Sequence, residues 1–157
     1  MAVNSVPTKI ETDLLEKEYF HLQNVVQDYD AKALTIKAWS VSIVGVIAGS
    51  SVFTSSKEVL LFASVVSFMF WLIEGTWKSF QRSNYDRINE IEAYMRGVAR
   101  KTEIHNLQIS KSWVIAYEQK YNKLAFMRKT LLRIYVFLPH GAFGLLLLIA
   151  YFVLKIG

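Results

Sequence analysis

The chain of 157 residues contains no cysteine, which excludes disulfides, thiolate metal sites and cysteine nucleophiles and leaves the redox compartment open. It also lacks the residue patterns that announce an enzyme. His21, His105 and His140 belong to separate segments without HExxH or related spacing, and there is no glycine-rich phosphate loop, no GxSxG and no Asp-rich motif. Glu18 and His21 share a helix face at i, i+3, but a single such pair is usually a surface contact rather than a metal site. No catalytic residue, metal or cofactor is therefore expected. Charge is scarce where apolar residues concentrate: Ala38 to Ser56 and Ile134 to Leu154 carry no Asp, Glu, Lys or Arg, and Val59 to Trp77 carries only Glu74.

Those three runs hold the excess of a composition that is 53% hydrophobic and 14% aromatic, high for a soluble protein of this size. At about 1.5 Å rise per residue, some twenty apolar residues match a hydrocarbon core about 30 Å thick. Three membrane crossings are predicted, over residues 38–56, 59–77 and 134–154. A soluble bundle with very apolar core helices is the competing explanation, but a run such as GLLLLIAYFVL is apolar on all faces. A cleaved signal peptide is not expected, since Met1 to Thr12 is polar.

Between Lys78 and Arg133 there are twelve Lys or Arg against five acids, whereas Thr54 to Glu58 contains only Lys57 and the C-terminus only Lys155. By the positive-inside rule the N-terminus and residues 78–133 are expected in the cytoplasm, with the first connector and Gly157 outside. Six acids among residues 11–30 do not oppose this, because acids contribute little to orientation.

Thr8, with Glu11 three residues on, has the form of a capping box opening a helix. Leu15, Tyr19, Leu22, Val26, Tyr29, Ala33 and Ile36 then step by four and three, the seam of a heptad repeat over residues 9–37. No Pro or Gly precedes Trp39, so this helix is expected to enter the first span with the indole at the interface. There Gly45 and Gly49 form a GxxxG pair with Ser42 one turn earlier, a face either for helix packing or for lining a pore. Thr54 to Lys57 reads as a tight turn. Ser64, Ser67, Trp71, Glu74 and Lys78 share one face of the second span, and Trp77, Phe80, Asn84, Ile88, Ile91, Met95 and Val98 continue an apolar face, predicting one helix over Val59 to Val98. If that helix is unbroken at Gly75, a ligand acting near Arg96 could move Glu74.

Gly97 and Arg100 to His105 are expected to end it, and Ser110 or Ser112 to cap a return helix. Val114, Tyr117, Tyr121, Leu124, Leu131 and Tyr135 predict a seam running into the third span, interrupted by Arg128. There Pro139 should kink the helix, and Gly141 and Gly144 leave room for a neighbour.

An ionisable group in a membrane marks a functional site by default. Glu74 and His140 fall at similar depths, so they are expected to face each other or a shared vestibule, with Ser64 and Ser67 on the pore side. The structural alternatives are a Glu74–Lys78 pair and a histidine bonded to a carbonyl freed by Pro139. The second candidate surface is basic: Arg96, Arg100, Lys101, Lys111, Lys120 and Lys123, with Tyr117 and Tyr121 among the last, a composition that can bind phosphates and stack bases. Positive-inside insertion and contact with anionic lipid already account for the residues nearest the membrane, whereas Arg96, Arg100, Lys101 and Lys111 would lie far from the bilayer and are the better candidates for a soluble anionic ligand.

YDAKALTIKAW before the first span, WLIEGTWKSFQ closing the second and LPHGAFG in the third resemble segments of small helical bacterial inner-membrane proteins. The plan of a few spans with a helical cytoplasmic portion is similar to membrane effectors of nucleotide-signalling anti-phage systems, including the SLATT and two-transmembrane effector classes. That resemblance implies an oligomer that perturbs the membrane when a nucleotide or oligonucleotide binds. The expectation is thus an all-α, homo-oligomeric membrane protein of a single domain, with three spans extended into a cytoplasmic helical bundle. It would act as an anion-gated ion channel or pore in contact with lipid. The alternative is a membrane-anchoring scaffold that binds a cytoplasmic protein partner without conducting.

Overall fold

The computed structural model describes residues 9–98 and 107–154, and all of its regular structure is helical. Helix α1 runs Lys9–Thr54 and α2 runs Glu58–Met95. They are joined by a turn in which Ser55 takes φ 49° and Ser56 Oγ donates to the Glu58 carboxylate at 2.7 Å. The predicted capping residue Thr8 lies outside the described residues. Gly75 sits inside α2 without interrupting it, and the helix ends at Met95, short of the expected Val98. Gly97 provides the reason: its φ of 73° is the left-handed conformation that closes helices, and the Val98 N–H donates to the Ala93 carbonyl.

The chain divides into two compact units, one from Met1–Tyr29 with Ser79–Lys123 and the other from Asp30–Lys78 with Leu124–Gly157. In the first, the predicted seam is the core. Leu15, Leu22 and Val26 of α1 bury against Ile88 and Ile91 of α2, flanked by Tyr19, Tyr85, Tyr94 and Ile109. The seam's partner is therefore a helix of the same chain. The heptad was expected to support oligomerisation, but within this unit α2 already covers it.

The return segment departs furthest from expectation. It forms α3 (Ile109–Ala116), a π-helical turn (Tyr117–Tyr121), α4 (Leu124–Leu131) and α5 (Ile134–Phe137), not one helix running into a span. Neither Ser110 nor Ser112 caps α3; Gln108 stands at the cap with no side-chain bond. The extra residue of the π-turn and the break near Asn122 rotate the downstream helices, so the expected seam is lost there: Leu124 and Tyr135 are exposed, and Thr130 and Val136 are buried instead. On α3, before the turn, Val114 is exposed and Ala116 buried. Trp113 stacks on Tyr117, and its indole N–H donates to the Phe80 carbonyl at 3.1 Å.

In the second unit the predicted kink at Pro139 is a full break. Leu138 is extended, as the residue before a proline prefers, and α6 begins anew at His140–Val153. Among the described residues two helices, α1 and α2, are long and apolar enough to cross a membrane. The 14 residues of α6 reach about 21 Å, and residues 134–154, expected as the third span, are divided between α5 and α6.

Candidate functional site

In the second unit the polar face of α2 meets α1 and the C-terminal helices, and every predicted member of that face has a partner. Glu74 is wholly buried. Its Oε1 accepts from Lys37 Nζ on α1, and its Oε2 lies 2.8 Å from His140 Nε2 on α6. The other imidazole nitrogen, Nδ1, is 2.7 Å from Ser40 Oγ, and Lys37 Nζ also donates to the Tyr135 carbonyl at 2.6 Å. Phe70 stacks on the imidazole at 6.2 Å. One proton arrangement satisfies the whole ring: Nε2–H donates to the carboxylate while Nδ1 accepts from the serine hydroxyl. A carboxylate removed from water is tolerable only with such opposite charge and hydrogen bonding around it.

The local reasons are visible on each helix. Ala33, Lys37, Ser40 and Val44 step by four, three and four, so they continue the α1 seam past Ile36, and Ala33, Ser40 and Val44 are buried. Sequence reasoning stopped the seam at Ile36 and thereby missed Lys37 and Ser40; carrying the heptad four residues further finds Ser40, whereas Lys37 is reached only by stepping four from Ala33. Lys78, the alternative partner for Glu74, instead donates to Asp30 at 2.6 Å.

Ser64 and Ser67 are also buried. Ser64 Oγ donates to the Gly144 carbonyl at 2.8 Å, and Ser67 Oγ to the His140 carbonyl at 2.7 Å. Trp71 Nε1 donates to the Leu131 carbonyl at 3.1 Å. The expected pore stripe is the face on which the C-terminal segment docks. Gly144 belongs to the same contact, since a Cβ there would meet the Phe68 ring at 2.9 Å, and Gly141 lies under the Phe137 ring. Gly45 and Gly49 are both exposed, with no atom of the described residues within 4 Å of a would-be Cβ. Thr130 Oγ1 is buried without a hydrogen-bond partner.

The first unit holds a second buried ion pair. Arg87 clasps Glu18 through two bonds, Nε to Oε1 at 2.8 Å and Nη2 to Oε2 at 3.1 Å, while the Leu107 amide donates to the same carboxylate at 3.0 Å. Burial works against the guanidinium charge, but the Glu18 carboxylate outweighs it and holds Arg87 above its ordinary range. Glu18 is thus no surface contact of His21, which is exposed.

Of the predicted anion-binding residues, Arg100 and Lys101 lie outside the described residues, as does His105. Arg96, Lys111 and Lys123 are exposed. Lys120 is not free, because it donates to Asp86 at 2.6 Å. Tyr121 donates to the other oxygen of Asp86 at 2.8 Å; burial first, and then this bond, push its phenol up to about 12. Among the described residues no group of three or more His, Cys, Asp and Glu is placed to hold a metal.

What these observations define is an all-helical protein with two helices long and apolar enough to cross a membrane and a buried carboxylate between two basic side chains. Comparison with protein-family models, curated proteins and solved structures gives no match.

Proposed function

We propose that the chain is a subunit of a homo-oligomeric ion channel or pore in a bacterial inner membrane, with the Lys37–Glu74–His140 cluster as its gate. The observation that carries this reading is the wholly buried Glu74, paired on both oxygens, inside a helix whose apolar window is only 33% buried. The core helix of a soluble protein hides most of its surface, whereas Phe53 at 90% exposure, with Val46, Phe62 and Met69, suits lipid. Inside a membrane a carboxylate of this kind marks an ion path or a relay. The N-terminus and residues 78–133 are then cytoplasmic, and a third crossing is completed by α5, Pro139 and α6. The open face at Ser42, Gly45 and Gly49 is where a second copy would pack. Exposed Arg96, Lys111 and Lys123 offer a cytoplasmic surface to an anionic ligand, a nucleotide or oligonucleotide by analogy with the anti-phage effectors the sequence resembles.

One observation favours a second reading, a membrane-anchoring scaffold that binds a protein partner: the polar groups of the α2 stripe are satisfied inside a single chain. Conductance of the reconstituted protein separates the two. In a channel, Glu74→Gln lowers cation selectivity several-fold and His140→Ala alters opening. If both variants conduct as wild type does, the cluster is not the gate; if the wild type conducts with none of the nucleotides added, the scaffold stands.

A further inference from the structure

Helix α4 carries a basic surface for which the described residues supply no counter-charge. From Gln119 to Gly157 there is no Asp or Glu. Four cations elsewhere find carboxylates: Lys37 on Glu74, Lys78 on Asp30, Arg87 on Glu18 and Lys120 on Asp86. Lys123, Arg128 and Lys129 are exposed and have no ion-pair partner among the described residues. Beside them stand large aliphatic side chains in the open: Leu124 is 76% exposed, Leu132 73% and Ile134 67%.

The position of α4 in its unit is set by two contacts with α2. Leu131 lies against Gly75, so closely that a Cβ there would meet its Cδ2 at 2.5 Å, and the Leu131 carbonyl takes the Trp71 indole N–H. Both anchor points sit at the end of the apolar run of α2, within about two turns of Lys78. The helix is thereby held where an apolar stretch gives way to charged residues, the level at which hydrocarbon meets headgroups if α2 crosses a membrane.

Unpaired cations interleaved with exposed aliphatics suit that boundary. The aliphatics enter the acyl region while the cations meet phosphates at its edge. A soluble nucleotide would neutralise the cations and leave the aliphatics in water. We propose that α4 and the residues that follow it lie in the membrane interface and bind anionic phospholipid headgroups through Arg128 and Lys129. The inference rests on the membrane reading of α1 and α2 and is independent of conduction.

The absence of cysteine allows a single fluorophore to be placed on L132C in the otherwise intact protein. The labelled chain is reconstituted in vesicles containing acyl-brominated phosphatidylglycerol or, separately, acyl-brominated phosphatidylcholine. Quenching by phosphatidylglycerol should exceed that by phosphatidylcholine roughly threefold at low salt, and R128Q/K129Q should bring the ratio to about one while quenching by phosphatidylcholine persists. Equal quenching in wild type, or a preference unchanged in R128Q/K129Q, overturns the proposal. So does a label that neither lipid quenches, or one that responds to an added oligonucleotide and not to headgroup charge. Flotation of the same vesicles tells the failures apart: protein that floats but shows no preference sinks this inference alone, whereas protein that does not float sinks the membrane reading as well.

Discussion

The two units hold their helices together by different means. In the unit of Met1–Tyr29 and Ser79–Lys123, Leu15, Leu22 and Val26 bury against Ile88 and Ile91, and one bidentate ion pair lies beside them. In the unit of Asp30–Lys78 and Leu124–Gly157, smaller buried apolar residues such as Ala33, Val44 and Ala63 are joined by contacts through polar atoms: Ser64 and Ser67 onto carbonyls of α6, Trp71 onto Leu131, and Glu74 onto Lys37 and His140. Water drives apolar faces together, but a lipid tail is as apolar as leucine. Helices in hydrocarbon therefore associate through small residues and hydrogen bonds, the pattern the second unit shows.

Breaking that contrast begins with its largest expected effect. Arg87→Ala leaves the buried Glu18 carboxylate without its counter-charge and should cost about 3–5 kcal/mol of unfolding free energy, measured by denaturant titration in detergent. Replacing both partners with hydrophobic residues should recover most of the loss, and if it does not, the pair contributes more than mutual neutralisation.

Leu22→Ala comes next, at about 2–5 kcal/mol, because a fully buried leucine leaves a cavity. Val46→Ala, a comparable truncation on an exposed apolar surface, should change stability by less than about 0.5 kcal/mol. Equal losses at the two positions would erase the distinction between a core that hides from water and a surface that faces lipid.

Smaller still are the serine contacts. Ser67→Ala removes one donor to a carbonyl already engaged in its own helix, and a loss of about 0.5–1.5 kcal/mol is expected. A larger loss would mean that the hydroxyls and not the cluster hold α6 in place.

Tyr121 should have the least effect on the fold and gives the sharpest pH readout. Its phenol is raised from near 10 to about 12, so the folded chain favours the neutral form. That contribution is fully present below the ordinary phenol range and is lost as pH rises through about 12. In an absorbance titration Tyr121→Phe should remove a late-ionising phenol, and an unchanged late component would place the raised group elsewhere.

How much of this was legible depended on the physics of each region. The heptad from Leu15 to Ile36 could be read because burial against water imposes a period on apolar residues, and the packing obeys it. Glu74 and His140 stood out because charge and imidazole are rare in apolar runs, and their approach could be anticipated from depth alone. Lys37 could not be distinguished by composition, being one of several lysines on a polar helix; only its place one turn after Ala33 and one turn before Ser40 marks it. Ser64 and Ser67 were read as a pore stripe because periodicity reports a shared face and says nothing of what that face meets. The breaks after Ala116 and at Pro139 spoiled the seam predicted for the return segment, since a register change of one residue rotates everything downstream.

By itself the sequence determined that the chain is helical and that α1 and α2 are apolar enough to cross a membrane, because period and hydropathy are local properties of a chain. Only the tertiary structure decided that the α1 seam is covered by α2 of the same chain, that Gly45 and Gly49 face open space, and that Glu74 is held by Lys37 and His140 together. Those are choices of partner, and a partner is selected by geometry in three dimensions among many residues that the sequence presents as equivalent.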